Sequence, residues 1–210
     1  MNTLVKIVVV IILSIANNQS KAQTNFEKGM TKAFELWEAE KWEDAENMFE
    51  RIAKAEAEEW LPNYYIAQMN SLKSWNIKDE VILKAQLEKA QEHLDIALSK
   101  TEENSELIVM QAQIYTNWVA FDGMTYGMKY AAKISELYEK ATQLDPDNPR
   151  AAFCKTEWAM GSAKYFGQDT APYCKQLETA LELFDTFKAE SDFHPNWGKE
   201  RAEQVVESCK

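Results

Sequence analysis

The chain is 210 residues long and carries 34 acidic against 23 basic residues, a formal net charge of −11. An acid excess of this size, with no cluster of Lys and Arg, excludes a nucleic-acid binder and disfavours anionic membrane surfaces, because both need basic patches to displace counterions. A chain this long buries about 70% of the surface its unfolded form exposes, so it folds without depending on staples.

Residues 1–22 read as a segment apart from the rest. Lys6 precedes an apolar run from Ile7 to Leu13, and the small residues Ser20 and Ala22 close the segment. The run is far shorter than the about 20 residues a membrane-spanning helix needs, and the pattern is that of a cleaved secretory signal peptide. The mature chain is expected to start at Gln23, in the periplasm or outside the cell, with no membrane insertion after cleavage. Losing Lys6 and Lys21 and no acid takes the charge from −11 to −13.

From Gln23 onward apolar residues recur at three and four, while Gly and Pro fall between the periodic segments, so the predicted fold is all-α. The first helix carries Phe26, Met30, Ala33, Phe34 and Trp37, and the second carries Ala45, Met48, Phe49, Ile52 and Ala53. A third runs from about Leu61 to Trp75 with Tyr64, Tyr65, Ala67 and Leu72. The fourth starts near Asp79 as N-cap and shows Leu83, Leu87, Ala90, Leu94 and Ala97 along one face. Ser105 is the expected cap of the fifth, which bears Leu107, Met110, Ala112, Ile114, Tyr115 and Trp118. Tyr130, Ile134, Leu137, Tyr138 and Ala141 mark the sixth. The seventh holds Ala152, Phe153, Trp158, Ala159 and Ala163, and the eighth Leu177, Ala180, Leu181, Phe184 and Phe187. A short ninth helix after Pro195 places Ala202, Val205, Val206 and Cys209 on one face.

Two features tie these helices into a repeat. Trp37, Trp75, Trp118 and Trp158 each lie near the end of the first helix of a pair, at gaps of 38, 43 and 40 residues. In the stretch YEKATQLDPDNPRA, Tyr138–Ala151, Tyr138 and Ala141 sit three apart, Pro146 stops one helix, and Asn148 and Pro149 start the next. With Ala45, Phe49 and Ile52 at matching small and aromatic positions, this cadence resembles the tetratricopeptide (TPR) repeat. The signal peptide, lengthened turns and terminal HPNWGKERAEQVVESC look like a group of small exported bacterial TPR-like proteins. The resemblance implies a right-handed array of four helix hairpins and a C-terminal capping helix over residues 23–210, acting as a non-catalytic scaffold for a protein or peptide partner.

The period exceeds that of a TPR, and the excess is expected in the turns within pairs: Asn76 to Val81, Asp122 to Lys129, and Tyr165 to Pro172. Loops carried on rigid helices commonly bind, so Asp122, Tyr126, Tyr165, Phe166 and Asp169 form a candidate partner-binding edge. The four Trp residues are read as packing. Among Cys154, Cys174 and Cys209, an antiparallel eighth and ninth helix brings Cys174 and Cys209 together, so a disulfide is expected there, against the alternative of two separate thiols. Cys154 is read as a small buried hydrophobe.

No catalytic or metal site is expected. His93, assigned to solvent, and His194, in the turn before Pro195, lie on different elements with no second ligand at zinc spacing. The Asp145-Pro-Asp-Asn string begins like a calcium loop but has Thr156 where the last acid belongs. The chain is thus expected to be a monomeric or weakly self-associating binding module without cofactor. The alternatives are an accessory subunit using the loop edge, or an enzyme or carbohydrate-binding protein.

Overall fold

A computed structural model describes residues 25–209. The expected signal peptide and its cleavage point lie outside those residues. Nine helices follow one another in the described chain: α1 (25–38), α2 (Trp42–Ala55), α3 (Leu61–Ser74), α4 (Glu80–Leu98), α5 (Ser105–Phe121), α6 (Gly123–Leu144), α7 (Pro149–Tyr165), α8 (Ala171–Thr186) and α9 (Lys199–Glu207). No strand occurs among the described residues, and no helix among them is long and apolar enough to cross a membrane.

Helix starts are set by local chemistry. Asp79 accepts from the backbone N–H of Val81 (2.8 Å) and Ile82 (3.1 Å) to cap α4. Asn148 does the same for Arg150 (2.9 Å) and Ala151 (3.2 Å) at α7, with Pro149 in the first helical position where its missing N–H costs nothing. The cap of α5 is Asn104 rather than Ser105. Ser105 lies inside the helix, buried, and its hydroxyl donates to the Ala141 carbonyl 3.0 Å away, joining α5 to α6.

The expected lengthened turn from Asp122 to Lys129 does not exist. Asp122 ends α5 and caps α6, accepting from Met124 N (3.0 Å) and Thr125 N (3.1 Å), so helix runs straight through Gly-Met-Thr-Tyr-Gly-Met-Lys. Gly123 and Gly127 read as loop, yet each costs a helix only about 1 kcal/mol, which a good cap and tertiary contacts overcome. The Tyr165 ring lies beside Gly123, where a Cβ would stand 3.6 Å from it in ordinary contact. The other two turns, between α3 and α4 and between α7 and α8, are loops.

The hairpins α3–α4, α5–α6 and α7–α8 pack in sequence, and their first helices α3, α5 and α7 touch in series. Buried alanines, including Ala45, Ala67, Ala90, Ala112, Ala141, Ala151 and Ala180, let neighbouring helices approach to the roughly 8–10 Å of close packing. Met30, Phe49, Tyr64, Ile66 and Leu94 fill the first half of the core, and Ile134, Tyr138, Phe153 and Leu177 the second. Helix α3 is buried on nearly every side and α5 faces both halves, so these two form the centre of the molecule.

After α8 the chain runs without regular structure through residues 187–198 and then enters α9. Gly198 makes the return at φ 105°, a conformation that strains any other residue, and a Cβ there would also push on the Phe184 ring at 3.2 Å. Helix α9 packs on α8 through Ala202 and Val205. The sulfurs of Cys174 and Cys209 are bonded, with Cα atoms 5.9 Å apart. Cys154 is buried and free, and burial pushes its thiol up to about 12.

Candidate functional site

The face formed by the first helices of the hairpins is occupied by the chain's own residues 187–197. Phe193 stands against Phe26 (5.8 Å between ring centres) and Phe34 (6.2 Å), and its carbonyl accepts from the Tyr65 hydroxyl at 2.8 Å. Trp197 Nε1 donates to the Tyr64 hydroxyl at 2.7 Å. His194 lies between Trp60 (6.2 Å) and Phe187 (6.0 Å), and Phe187 covers the Arg150 guanidinium at 4.4 Å.

Beneath this segment lies a buried ion pair. Arg150 Nε and Nη2 donate to Glu106 at 2.8–2.9 Å and 2.6 Å, and Asn148 Nδ2 adds a bond at 2.7 Å. Both side chains are essentially sealed, at 0% and 3% exposure. A shallow hollow of about 320 Å³ remains beside the segment, lined by Phe34, Tyr65, Phe193 and His194 with acidic Glu35 and Asp192. The tertiary path of the C-terminal segment therefore closes the surface where a stacked array would present a peptide groove.

The surface left open is the edge made by the turns within hairpins. Trp75 just after α3, Val81 and Ile82 from the start of α4, Met124 and Met128 from the start of α6, and Tyr165 and Phe166 from the end of α7 are 52–93% exposed. Three contacts make them one surface. The Tyr126 hydroxyl donates to Glu80 at 2.5 Å, joining the starts of α4 and α6, and Tyr165 abuts Gly123, joining the start of α6 to the end of α7. Asn117 on α5 donates to the Ser74 hydroxyl at 2.8 Å, tying α5 to the end of α3 that Trp75 follows. Tyr126 also lies 4.8 Å from the Trp118 ring and 6.2 Å from that of Tyr130, which stacks on Tyr115 at 4.6 Å.

The sequence-predicted edge residues fall into two kinds. Tyr165 and Phe166 are exposed, with ring centres 5.1 Å apart. Tyr126 is half-buried, and its hydrogen bond to Glu80 pushes its hydroxyl up to about 12. Asp122 and Asp169 sit on the edge but have their carboxylates turned to backbone N–H groups, Asp169 to that of Ala171 at 3.0 Å. Sequence reasoning missed Trp75, Val81, Ile82, Met124 and Met128. Trp75 was assigned to packing, but it follows the last turn of α3 and is 52% exposed. Val81 and Ile82 fall outside the buried stripe Leu83-Leu87-Ala90-Leu94-Ala97, and the four-residue spacing of Met124 and Met128 is one face of a helix hidden by its glycines.

Neither histidine faces this edge, and His93 is not the solvent residue expected. It is half-buried with Nδ1 2.9 Å from Asn63 Oδ1, and burial holds it below its usual value. Burial also holds His194 down, against the opposing pull of Glu106 and Glu190. No group of three or more His, Cys, Asp or Glu among the described residues could hold a metal ion. Elsewhere, Glu46 gathers Lys73, Lys89 (2.6 Å) and Asn70 (2.8 Å); burial alone would raise its carboxyl, but these bonds outweigh it and bring it to about 2.

No protein-family model matches this chain, and no curated protein matches it. Among solved structures it is similar to the HusA haemophore from Porphyromonas gingivalis, with a TM-score of 0.76 and 20% sequence identity over 88% of this chain and 92% of that one. At that identity the shared property is the all-helical fold, along nearly the whole length of both chains.

Proposed function

We propose that this protein is an exported, non-catalytic carrier, built as TPR-like helix hairpins, that holds an apolar ring ligand of the haem class on the loop edge. The observation that carries the reading is the edge itself. Seven apolar or aromatic residues exposed by 52–93% gather there, three of them aromatic side chains of roughly 150–250 Å² each. The largest such patch on an ordinary monomer is about 300–600 Å². A flat hydrophobic ligand suits it: Trp75, Tyr165 and Phe166 offer faces for stacking, and Met124 and Met128 are unbranched and adapt to shape. The ligand class comes from the haemophore whose fold this chain shares. With no histidine on the edge, affinity rests on stacking and apolar burial rather than on a His ligand to iron. Export through residues 1–22 places the carrier in the periplasm or outside the cell.

Titrating haemin into protein 23–210, followed by the Soret band and by Trp fluorescence, tests the proposal. Saturable binding is expected, with at least a tenfold loss in Trp75→Ala/Phe166→Ala whose far-UV circular dichroism is unchanged. An absent spectral change, or a double variant that binds as the parent does, refutes it. The second reading keeps the same edge as the contact of an envelope assembly with a protein segment. It is favoured by the two exposed methionines, which suit adaptable protein interfaces. Crosslinking in the native envelope that captures one reproducible polypeptide through Met124 or Met128 positions supports it over the carrier.

A further inference from the structure

The hollow beside residues 187–197 shares no residue with the loop edge. Its floor is aromatic, made by the rings of Phe34, Tyr65 and Phe193. Its rim is acidic: Glu35, Glu38 and Asp192 line it, and no lysine or arginine does. Lys32 offsets Glu35 at 3.0 Å, whereas the carboxylates of Glu38 and Asp192 have no ion pair or hydrogen bond among the described residues. Unpaired acids such as Glu136 and Glu182 occur elsewhere on this surface, so the rim by itself points to no ligand. His194 adds what the rim lacks. It lines the hollow with its side chain 10% exposed, and its ring nitrogens stand 3.9 Å from Glu106 and 3.8 Å from Glu190, beyond hydrogen-bond reach. Glu106 is already committed to Arg150 and Asn148. Burial holds the ring below its usual value, so at neutral pH it is uncharged and one nitrogen is an acceptor. A nine-tenths-buried imidazole with no hydrogen-bond partner among the described residues therefore shares this hollow with two unpaired carboxylates.

We infer that this hollow binds a primary ammonium group carried on an apolar stem, the chemistry shared by an alkylamine and a lysine side chain. The site is independent of whatever the loop edge holds. An ammonium has three N–H donors and no acceptor, so it satisfies two carboxylates and a neutral imidazole together. The aromatic floor attracts the cation and covers the methylenes of its stem. No group of three or more His, Cys, Asp or Glu among the described residues could hold a metal ion, which leaves an organic cation. At about 320 Å³ the hollow is at the small end of ligand pockets, about 300–1,000 Å³, and suits a stem with a head group rather than a porphyrin. The excess of 34 acids over 23 bases draws cations toward the protein.

The test titrates n-hexylamine and Nα-acetyl-lysine amide, each beside its neutral counterpart, n-hexanol and Nα-acetyl-norleucine amide, into protein 23–210 at neutral pH. Backbone amide NMR shifts of residues 31–38 and 191–196 read the site. Each ammonium is expected to bind about tenfold tighter than its counterpart, and the preference to shrink with salt because the rim is exposed. Glu38→Gln/Asp192→Asn should lose that preference, while Glu136→Gln/Glu182→Gln, which removes two charges outside the hollow, should keep it. His194→Phe retains a ring against Trp60 and Phe187 and should weaken ammonium binding about threefold. Tighter binding of hexylamine assigns the site to free amines, and tighter binding of the lysine amide assigns it to a lysine of a partner segment. Equal binding of amine and alcohol overturns the site, as does an equal loss in the two carboxylate variants. His194→Phe that binds as the parent does removes the imidazole from it.

Discussion

Replacing Glu106 by Gln isolates what the buried centre contributes. In the parent, Glu106 accepts from Arg150 Nε and Nη2 at 2.6–2.9 Å and from Asn148 Nδ2 at 2.7 Å, with Arg150 wholly buried. The amide is neutral and turns a donor toward the guanidinium, so Arg150 keeps a buried charge without a counterion. Removing one partner of such a pair costs about 3–5 kcal/mol, a large share of the about 5–15 kcal/mol that holds a domain together. At an m-value of about 2 kcal/mol/M the urea midpoint falls by roughly 1.5–2.5 M. The double variant Glu106→Leu/Arg150→Met removes both charges and is expected to recover most of the loss, leaving the lost cover of Phe187 over the guanidinium and the one Asn148 amide N–H that had donated to Glu106. Urea unfolding followed by circular dichroism, with m unchanged, reads the effect. A loss below about 1 kcal/mol in Glu106→Gln refutes the argument that the pair is sealed from water, as does a double variant less stable than the single one.

Two further outcomes are expected. Alkylation without reductant should leave Cys174 and Cys209 unlabelled by mass and label Cys154 only after unfolding, and reduction should cost about 4 kcal/mol on the chain-entropy account of a 35-residue closure. Stability should fall in acid in two stages. Burial keeps His93 and His194 neutral, so the unfolded chain takes up protons first as pH drops below about 6.5. The Glu46 carboxyl, held at about 2, then contributes stability that is full above about 4.5 and is lost as pH falls toward 2. Partial solvent exposure of the lysines limits the second stage to about 2 kcal/mol. Glu46→Gln should flatten the stability profile between pH 4.5 and 2; an unchanged slope counts against the network.

Helix existence was legible because it follows from local periodicity. The stripe Leu83-Leu87-Ala90-Leu94-Ala97 and the Asn148-Pro149 start both hold in the structure. The start of α6 was not, since glycines at 123 and 127 argue for a loop until Asp122 is seen to cap the segment and Tyr165 to lean on Gly123. Trp75 shows the same limit. A tryptophan at helical spacing reads as core, and only its place after the last turn of α3 leaves it in solvent. Of the candidate edge, the aromatic pair Tyr165 and Phe166 was visible, while Val81, Ile82, Met124 and Met128 were not, because exposure depends on neighbours distant in the chain.

The amino-acid order alone determined the helical class, the hairpin order and the acidic character, since spacing, caps and charge are properties of short stretches. The tertiary structure decided which surface stays open. Residues 187–197 reach back across α1, α3, α5 and α7 to lay Phe187, Phe193 and Trp197 on partners distant in the chain, Phe193 on Phe26 and Trp197 on Tyr64 among them. Aromatic burial against Arg150, Tyr64 and Tyr65 drives that return, and its consequence is that the groove face is closed while the apolar loop edge faces solvent.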